Sequence, residues 1–158
     1  MSTALLFSGQ GSQYVGMAKD LAEARPQVRE LFAQAESILG YSLYDVCAHG
    51  PAETLKETRY TQPALFIHEA AIVQALGEVI VPTAVAGHSL GEYSALYAAG
   101  VVSFSDALRL VALRGKLMFS AGTKQPGTMA AIVGMSDSDV ENMCAEISDG
   151  IVVAANYN

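Results

Sequence analysis

The chain has 158 residues, of which 51% are apolar and 16% are charged, and this composition excludes an intrinsically disordered protein. Its 9 basic and 16 acidic residues give a net charge of −7, which disfavours nucleic-acid binding because phosphates are bound by basic surfaces. No segment is apolar for the length of a membrane span, and the N-terminus lacks the basic start of a secretory signal. We therefore expect a cytoplasmic protein with neither nucleic-acid nor membrane partners.

Strands and helices alternate along the chain. In chain order, the residue patterns predict a strand at 3–7, a glycine-rich loop at 8–13, helices at 16–24 and 26–39, short helical turns at 41–55, a helix at 61–76, a strand at 83–87, helices at 90–99 and 105–120, a strand at 128–133, a helix after Ser136 and a strand at 151–155. The predicted N-caps are Thr61, Ser105 and Ser136. This alternation predicts an α/β fold with a largely parallel sheet.

A change of composition near Gln125 predicts a boundary between two parts of the chain, 1–124 and 125–158. The second part contains one strand–helix–strand unit, which leaves sheet edges open. Because exposed edges are normally paired or covered, we expect the chain to be incomplete as a functional unit. Cys47 and Cys144 match no metal-ligand spacing, so we expect reduced thiols and no metal site.

Ser89 lies in the segment Gly87-His88-Ser89-Leu90-Gly91, which fits the pattern G-x-S-x-G between a predicted strand and a predicted helix. In that context the serine is typically a nucleophile on a sharp turn, and the N-terminus of the helix stabilises developing negative charge. The alternative is a helix cap, because Ser89 and Glu92 have the spacing of a capping box. A cap alone does not require glycine at both flanking positions.

Arg114 lies in a predicted helix that carries apolar residues on most of its sides. It shares one stripe with Leu110 and Leu117, so its side chain is predicted to point partly inward. A guanidinium group keeps its charge inside a protein and needs an anionic partner there. That partner is either a fixed Asp or Glu of the chain or the carboxylate of a substrate.

The three histidines do not include an obvious base for Ser89. His88 is adjacent to the serine in a sharp turn, so its ring is expected to leave in another direction and to pack beside the site. His49 is expected to lie in a loop and to be solvated, and His68 is expected in the middle of a helix. None of the three has a clear claim to the role.

Five segments occur in an order that is typical of one enzyme family: LLFSGQGSQYVGMAKDL, YTQPALF, GHSLGEYSAL, LVALRGKLM and GTMAAIVG. Together they resemble the N-terminal half of the malonyl-CoA:acyl-carrier-protein transacylases, the acyltransferase family of fatty acid and polyketide synthesis. The resemblance implies an α/β-hydrolase-like large subdomain, of which 1–124 is the N-terminal part, and an inserted ferredoxin-like small subdomain, of which 125–158 is the first half. It implies transfer of a malonyl group from coenzyme A to the phosphopantetheine thiol of acyl carrier protein, without cofactor or metal.

The resemblance also implies roles for individual residues. Ser89 is the nucleophile, and the main-chain N–H groups of Gln10 and Leu90 form the oxyanion hole. Arg114 binds the malonyl carboxylate, and the remaining substrate-binding residues are Gln62, His88 and Asn156. The catalytic histidine of the family lies C-terminal to the small subdomain, so the base is expected outside this sequence.

Simpler interpretations remain open for these residues. The loop at 8–13 is also typical of an ordinary turn, Gln62 of a polar residue in the first turn of a helix, and Asn156 of a residue at a strand end. Two functional alternatives remain as well. One is a serine hydrolase or thioesterase of the G-x-S-x-G type, and the other is a catalytically incomplete fragment that only binds.

Overall fold

The computed structural model of the protein describes residues 2–157, apart from the side chain of Glu78. The strands in this range are β1 (Ala4–Phe7) and β2 (Ala84–Gly87). The helices in the same range are α1 (Lys19–Ala24), α2 (Pro26–Leu39), α3 (Leu43–His49), α4 (Ala52–Lys56), α5 (Thr58–Leu76), α6 (Gly91–Ala98), α7 (Phe104–Lys124) and α8 (Asp137–Ala145). A 3-10 turn, Gly77–Val79, follows α5. Within residues 2–157, no helix combines the length and the apolarity that crossing a bilayer requires.

The described strands pair in parallel, with Ala4 opposite Ala84 and Phe7 opposite Gly87. The predicted α/β class with a parallel sheet is therefore confirmed. Parallel strands end at the same edge of a sheet, and ligands of open α/β sheets bind beyond that edge. Here the glycine-rich loop follows β1 and the Ser89 turn follows β2, so the pairing places both segments at one edge.

The core of the first compact unit, Met1–Gln125, is organised around α5. This helix packs against α2, α6 and α7, and its residues 61–67 are all buried. Burial on every side explains why the apolar residues 63–67 follow one another without a polar position between them. Phe66 is fully buried at its centre, stacked on Phe104 at a ring-centroid distance of 5.7 Å and edge-on to Tyr97 at 6.0 Å.

Phe66→Ala is expected to lower the free energy of unfolding by about 3–5 kcal/mol, because the cavity it leaves cannot close without moving three helices. Urea unfolding followed by circular dichroism measures this change. Leu113→Ala is the matched control, since Leu113 is 54% exposed on α7 and its loss is expected to cost no more than about 0.5 kcal/mol. Equal losses in the two variants would contradict a core centred on α5.

Two predicted N-caps are wrong. α5 begins one turn earlier than predicted, after Glu57, whose extended backbone separates it from α4. Thr61 therefore lies inside the helix, where its buried hydroxyl donates to the carbonyl oxygen of Leu55 at 2.6 Å. α7 is capped by Ser103 and not by Ser105, because the Ser103 hydroxyl accepts the N–H of Asp106 at 3.1 Å.

Other helix ends follow local signals. Gly40 ends α2 in a left-handed conformation with φ 78°, as its position predicts. α1 begins at Lys19 and not at residue 16, because Gly16 and Ala18 both have positive φ values, 99° and 63°, which a helix does not accommodate. α7 continues past Ser120 to Lys124.

The second compact unit, Pro126–Asn158, contains α8, which is capped by the Ser136 hydroxyl as predicted. The strands predicted at 128–133 and 151–155 are not formed in its described residues. A strand is stable only when its main-chain groups pair with a neighbour, and neither segment has one. Their apolar side chains are accordingly exposed, with Val133 at 91% and Ile151 at 94%. Cys47 in the first unit and Cys144 in α8 are both free.

Candidate active site

Ser89 lies on a three-residue turn between the end of β2 and the start of α6. Its φ is 56°, a left-handed conformation that is uncommon for a residue with a Cβ and is typical of strained functional turns. A Cβ on Gly87 would collide with the main chain of Gly91, and a Cβ on Gly91 would collide with the carbonyl group of Phe7. The tight turn thus accounts for both glycines of the motif.

The Ser89 hydroxyl does not cap α6. The N-cap position of that helix is Leu90, and no side chain caps it. The N–H of Glu92 donates to the main-chain oxygen of Ser89 at 3.3 Å, whereas Ser89 Oγ accepts a hydrogen bond from Arg114 Nη2 at 3.0 Å. The capping-box interpretation is therefore wrong, and the hydroxyl is available for chemistry on an exposed turn.

Arg114 is half-buried on α7 and points to Ser89. The predicted reason is wrong, because Leu110 and Leu117 on the same stripe are 47% and 59% exposed. Its Nη1 donates to Gln62 Oε1 at 2.7 Å, and its Nη2 donates to the serine. Among the ion pairs of residues 2–157, none involves this guanidinium group. The alternative of a fixed salt bridge is therefore wrong for the described part of the chain. Its two hydrogen-bond acceptors are neutral groups, so they leave its charge uncompensated.

A chain of hydrogen bonds connects Arg114 to the glycine-rich loop. Gln62 is 1% exposed, and its Nε2 donates to Thr58 Oγ1 at 3.0 Å. Thr58 Oγ1 in turn donates to the side-chain oxygen of Gln10 at 2.7 Å. The structure thus joins Gln10, Gln62, Arg114 and Ser89 through one residue that the sequence analysis missed. The i,i+4 spacing of Thr58 and Gln62 is the signal that would have shown it, had the start of α5 been placed correctly.

The glycine-rich loop passes closely over the Ser89 turn. A Cβ on Gly9 would lie 2.8 Å from Nδ1 and 2.9 Å from the main-chain oxygen of His88, so only glycine fits this approach. Leu90 is anchored in the core at 1% exposure. Within residues 2–157, the hydrogen bonds leave the main-chain N–H groups of Gln10 and Leu90 without an acceptor. That these two groups form an oxyanion hole stays a prediction.

Glu69 is a further polar residue that the sequence analysis did not single out. It is 5% exposed on α5, and its Oε1 accepts hydrogen bonds from the N–H and the hydroxyl of Ser8, each at 2.9 Å. Burial raises the pKa of Glu69, whereas hydrogen bonding by the Ser94 and Ser8 hydroxyls and by the Ser8 N–H opposes that rise. The sequence signal that could have identified Glu69 is a single acidic residue in a largely apolar helix.

The histidines have separate surroundings. His49 is the last residue of α3 and not a loop residue, and it is exposed as expected, with its Nδ1 3.3 Å from Asp45 Oδ1. Burial lowers the pKa of His68, and the charge of Asp20 partly opposes this. The His68 Nδ1 is buried without a hydrogen-bond partner among the described residues. The ring of His88 packs over Gly9, beside the site as expected, and its predicted role in substrate binding stays a prediction.

Asn156 belongs to the second unit, where it is exposed. Its predicted contact with the substrate also stays a prediction.

Comparison with known proteins identifies the family of the chain. A family model described as acyl transferase domain matches residues 4–158. The malonyl CoA-acyl carrier protein transacylase of Escherichia coli K12 is 47% identical over 158 residues, covering 98% of this chain and 51% of the relative.

Solved structures are similar as well. A malonyl-transacylase in complex with a type II PKS acyl-carrier protein superposes with a TM-score of 0.83 at 44% identity, over 94% of this chain and 49% of that chain. The acyl carrier protein S-malonyltransferase of Vibrio cholerae gives a TM-score of 0.79 at 43% identity, over 92% of this chain and 48% of that chain. The chain thus spans about half the length of these relatives.

Proposed function

Because the chain belongs to the acyl transferase domain family, we propose that the protein carrying it transfers a malonyl group from coenzyme A to the phosphopantetheine thiol of an acyl carrier protein. The observation that carries this proposal is the contact between Arg114 and Ser89. It joins a nucleophile with a cation that has no anionic partner in residues 2–157, which suits an acyl donor bearing its own carboxylate.

The first half-reaction begins at Ser89. Its Oγ attacks the thioester carbonyl carbon, a C–O bond forms, and the hydroxyl proton passes to a base. A serine hydroxyl has one proton and two lone pairs, so accepting a hydrogen bond from Arg114 leaves the proton free for that base. By the family resemblance, the base is a histidine C-terminal to the small subdomain.

The tetrahedral intermediate carries its negative charge on the former carbonyl oxygen. The N–H groups of Gln10 and Leu90 bind this oxygen, and one such donor typically stabilises the transition state by roughly 3–4 kcal/mol. The C–S bond then breaks, and coenzyme A leaves as the thiol with the proton from the base. In the second half-reaction the phosphopantetheine thiol attacks the Ser89 ester, and the same steps run in reverse. One thioester replaces another, so the scheme needs neither cofactor nor metal.

Arg114 selects the acyl group. A malonyl carboxylate can accept two parallel hydrogen bonds from the guanidinium fork, and this gives both affinity and orientation. Gln62 holds the guanidinium from the other side, and the family resemblance adds His88 to the binding residues. An acyl group without a carboxylate leaves the cation uncompensated in the site, which disfavours it.

We further propose that 1–124 form the N-terminal part of an α/β-hydrolase-like subdomain and that 125–158 form the first half of a ferredoxin-like one. The parallel pairing of β1 and β2 and the strand–turn–helix at Ser89 support the first assignment. The family match, which continues to residue 158, supports the second. The exposed apolar segments 128–133 and 151–155 are suited to becoming strands once further strands pair with them.

A serine hydrolase or thioesterase is the second candidate, because the exposed Ser89 turn also suits water as the acceptor. Incubating the protein with malonyl-CoA and a phosphopantetheine-loaded carrier protein separates the candidates by mass spectrometry. We expect a malonyl adduct on Ser89 and malonylated carrier protein. Free malonate as the main product would favour the hydrolase, and the absence of any adduct would favour a fragment that only binds.

A further inference from the structure

Glu69 is a buried carboxylate that the proposed reaction does not use. It lies on α5 with 5% exposure, and its Oε1 accepts both the N–H and the hydroxyl of Ser8 at 2.9 Å. Removing a carboxylate from water is costly, and such a group persists only when donors hold it. Both donors belong to Ser8, so the contact provides hydrogen bonds to the carboxylate and also holds the loop in place.

The contact continues into the loop that carries Gln10. Ser8 Oγ lies 2.9 Å from Ser12 Oγ, and the Ser12 hydroxyl donates to the main-chain oxygen of Gly9 at 3.0 Å. Gln10 therefore lies between Gly9 and Ser12, which are joined by a hydrogen bond, and Ser8 connects this loop to α5. The side chain of Gln10 is itself hydrogen-bonded to Thr58 of α5.

The opposite side of the carboxylate faces the helix that follows the nucleophile. Ser94 is fully buried on α6, and its hydroxyl favours the charged form of Glu69. Glu69 Oε2 and Ser94 Oγ are nonetheless buried without a regular hydrogen bond among residues 2–157. Glu69 thus lies between the loop that carries Gln10 and the helix that follows Ser89.

We infer that Glu69 is a positioning residue, which holds the loop at 8–12 so that the main-chain N–H of Gln10 points to the oxygen on which negative charge develops. This inference rests on the proposed function. It requires that loss of Glu69 affects the transition state more than substrate binding, because a displaced oxyanion donor leaves the malonyl carboxylate and its arginine unchanged.

The test compares Glu69→Ala and Glu69→Gln in the protein that carries this chain. For Glu69→Ala we expect kcat for malonyl transfer to fall roughly 10- to 100-fold, part of the effect of losing a whole oxyanion donor, with KM changed less than about threefold. Glutamine keeps an acceptor oxygen at the same place, so Glu69→Gln is expected to retain kcat within about threefold of the unchanged protein. Gln74→Ala, an exposed position on the same helix, is the matched control and is expected to leave kcat unchanged.

Hydrogen exchange of the Ser8 amide provides a readout that does not depend on turnover. We expect faster exchange in Glu69→Ala and protection in Glu69→Gln. If Glu69→Ala fails to fold, Ser8→Ala, which removes only the hydroxyl donor from an exposed loop, is expected to lower kcat with KM retained.

Unchanged kcat in both Glu69→Ala and Ser8→Ala, or a raised KM at constant kcat, would overturn the positioning role. If the unchanged protein forms no acyl-enzyme at all, the proposed function fails instead. In that case unaltered Ser8 exchange in Glu69→Ala would show that the carboxylate does not hold the loop either.

Discussion

Ser89→Ala is expected to abolish formation of the malonyl-enzyme and to lower transfer on the order of a million-fold, the scale at which a serine enzyme responds to loss of its nucleophile. Alanine has no oxygen that can form the ester, and Ser89 Oγ is the hydroxyl that the left-handed turn places 3.0 Å from Arg114 Nη2. Intact-mass measurement after incubation with malonyl-CoA detects the adduct, and a coupled assay of carrier-protein malonylation gives the rate.

Ser105→Ala is the matched control for the nucleophile. Ser105 lies in the first turn of α7, away from the hydrogen bonds that connect Gln10 to Ser89. The Ser105→Ala variant is therefore expected to form the malonyl adduct, and to transfer malonyl groups, as the unchanged protein does. A malonyl adduct that persists in Ser89→Ala would show that another residue is acylated, and the proposed reaction would have to be abandoned.

Arg114→Ala is expected to lose the preference for malonyl over acetyl groups. The guanidinium is half-buried, so its paired hydrogen bonds to a carboxylate are expected to contribute about 2 kcal/mol, or roughly 30-fold in kcat/KM for malonyl-CoA. Acetyl-CoA brings no carboxylate, so its kcat/KM is expected to change much less. The ratio of the two kcat/KM values, measured with both donors in competition, is the quantity to compare.

Arg109→Ala separates the effect of the site from that of a cation on the same helix. Arg109 is exposed and lies 3.6 Å from Asp106 at the surface of α7, so its removal is expected to leave the malonyl-to-acetyl ratio unchanged. An unchanged ratio in Arg114→Ala, or an equal fall in both variants, would remove the assigned role of Arg114.

The Ser89 turn and the ends of α2 and α8 were predictable because their requirements are local. A strand, two glycines and a helix within a few residues define the turn, and Gly40 or Ser136 defines a helix end by its own conformation or side chain. The stripe of Arg114 was a poor guide, since helix periodicity sets which residues share a face but not what covers that face, and Leu110 and Leu117 are exposed.

The starts of α5 and α7 were missed because neighbouring residues compete for the same position. At α7, Ser103 and Ser105 are both acceptable caps, and the bond from the Asp106 N–H selects the first. At α5, Thr61 has the residue type of an N-cap, but the N-cap is Glu57, whose backbone is extended, and the helix begins at Thr58.

Other features depend on residues that are distant in the chain. Glu69 and Ser8 are 61 positions apart, and nothing near either residue indicates that they meet. The strands predicted at 128–133 and 151–155 have a suitable composition, but a strand also needs a neighbour that composition does not provide.

The pairing of Ala4 with Ala84 also has a consequence for the order of folding. Closing a loop of roughly 80 residues costs about 4 kcal/mol of chain entropy before any contact repays it. Helices within that loop can form and pack first, because their contacts are closer in sequence and α2, α3 and α4 all pack against α5. The nucleophile and the loop that faces it therefore meet late, so catalytic competence should appear only with the last steps of refolding.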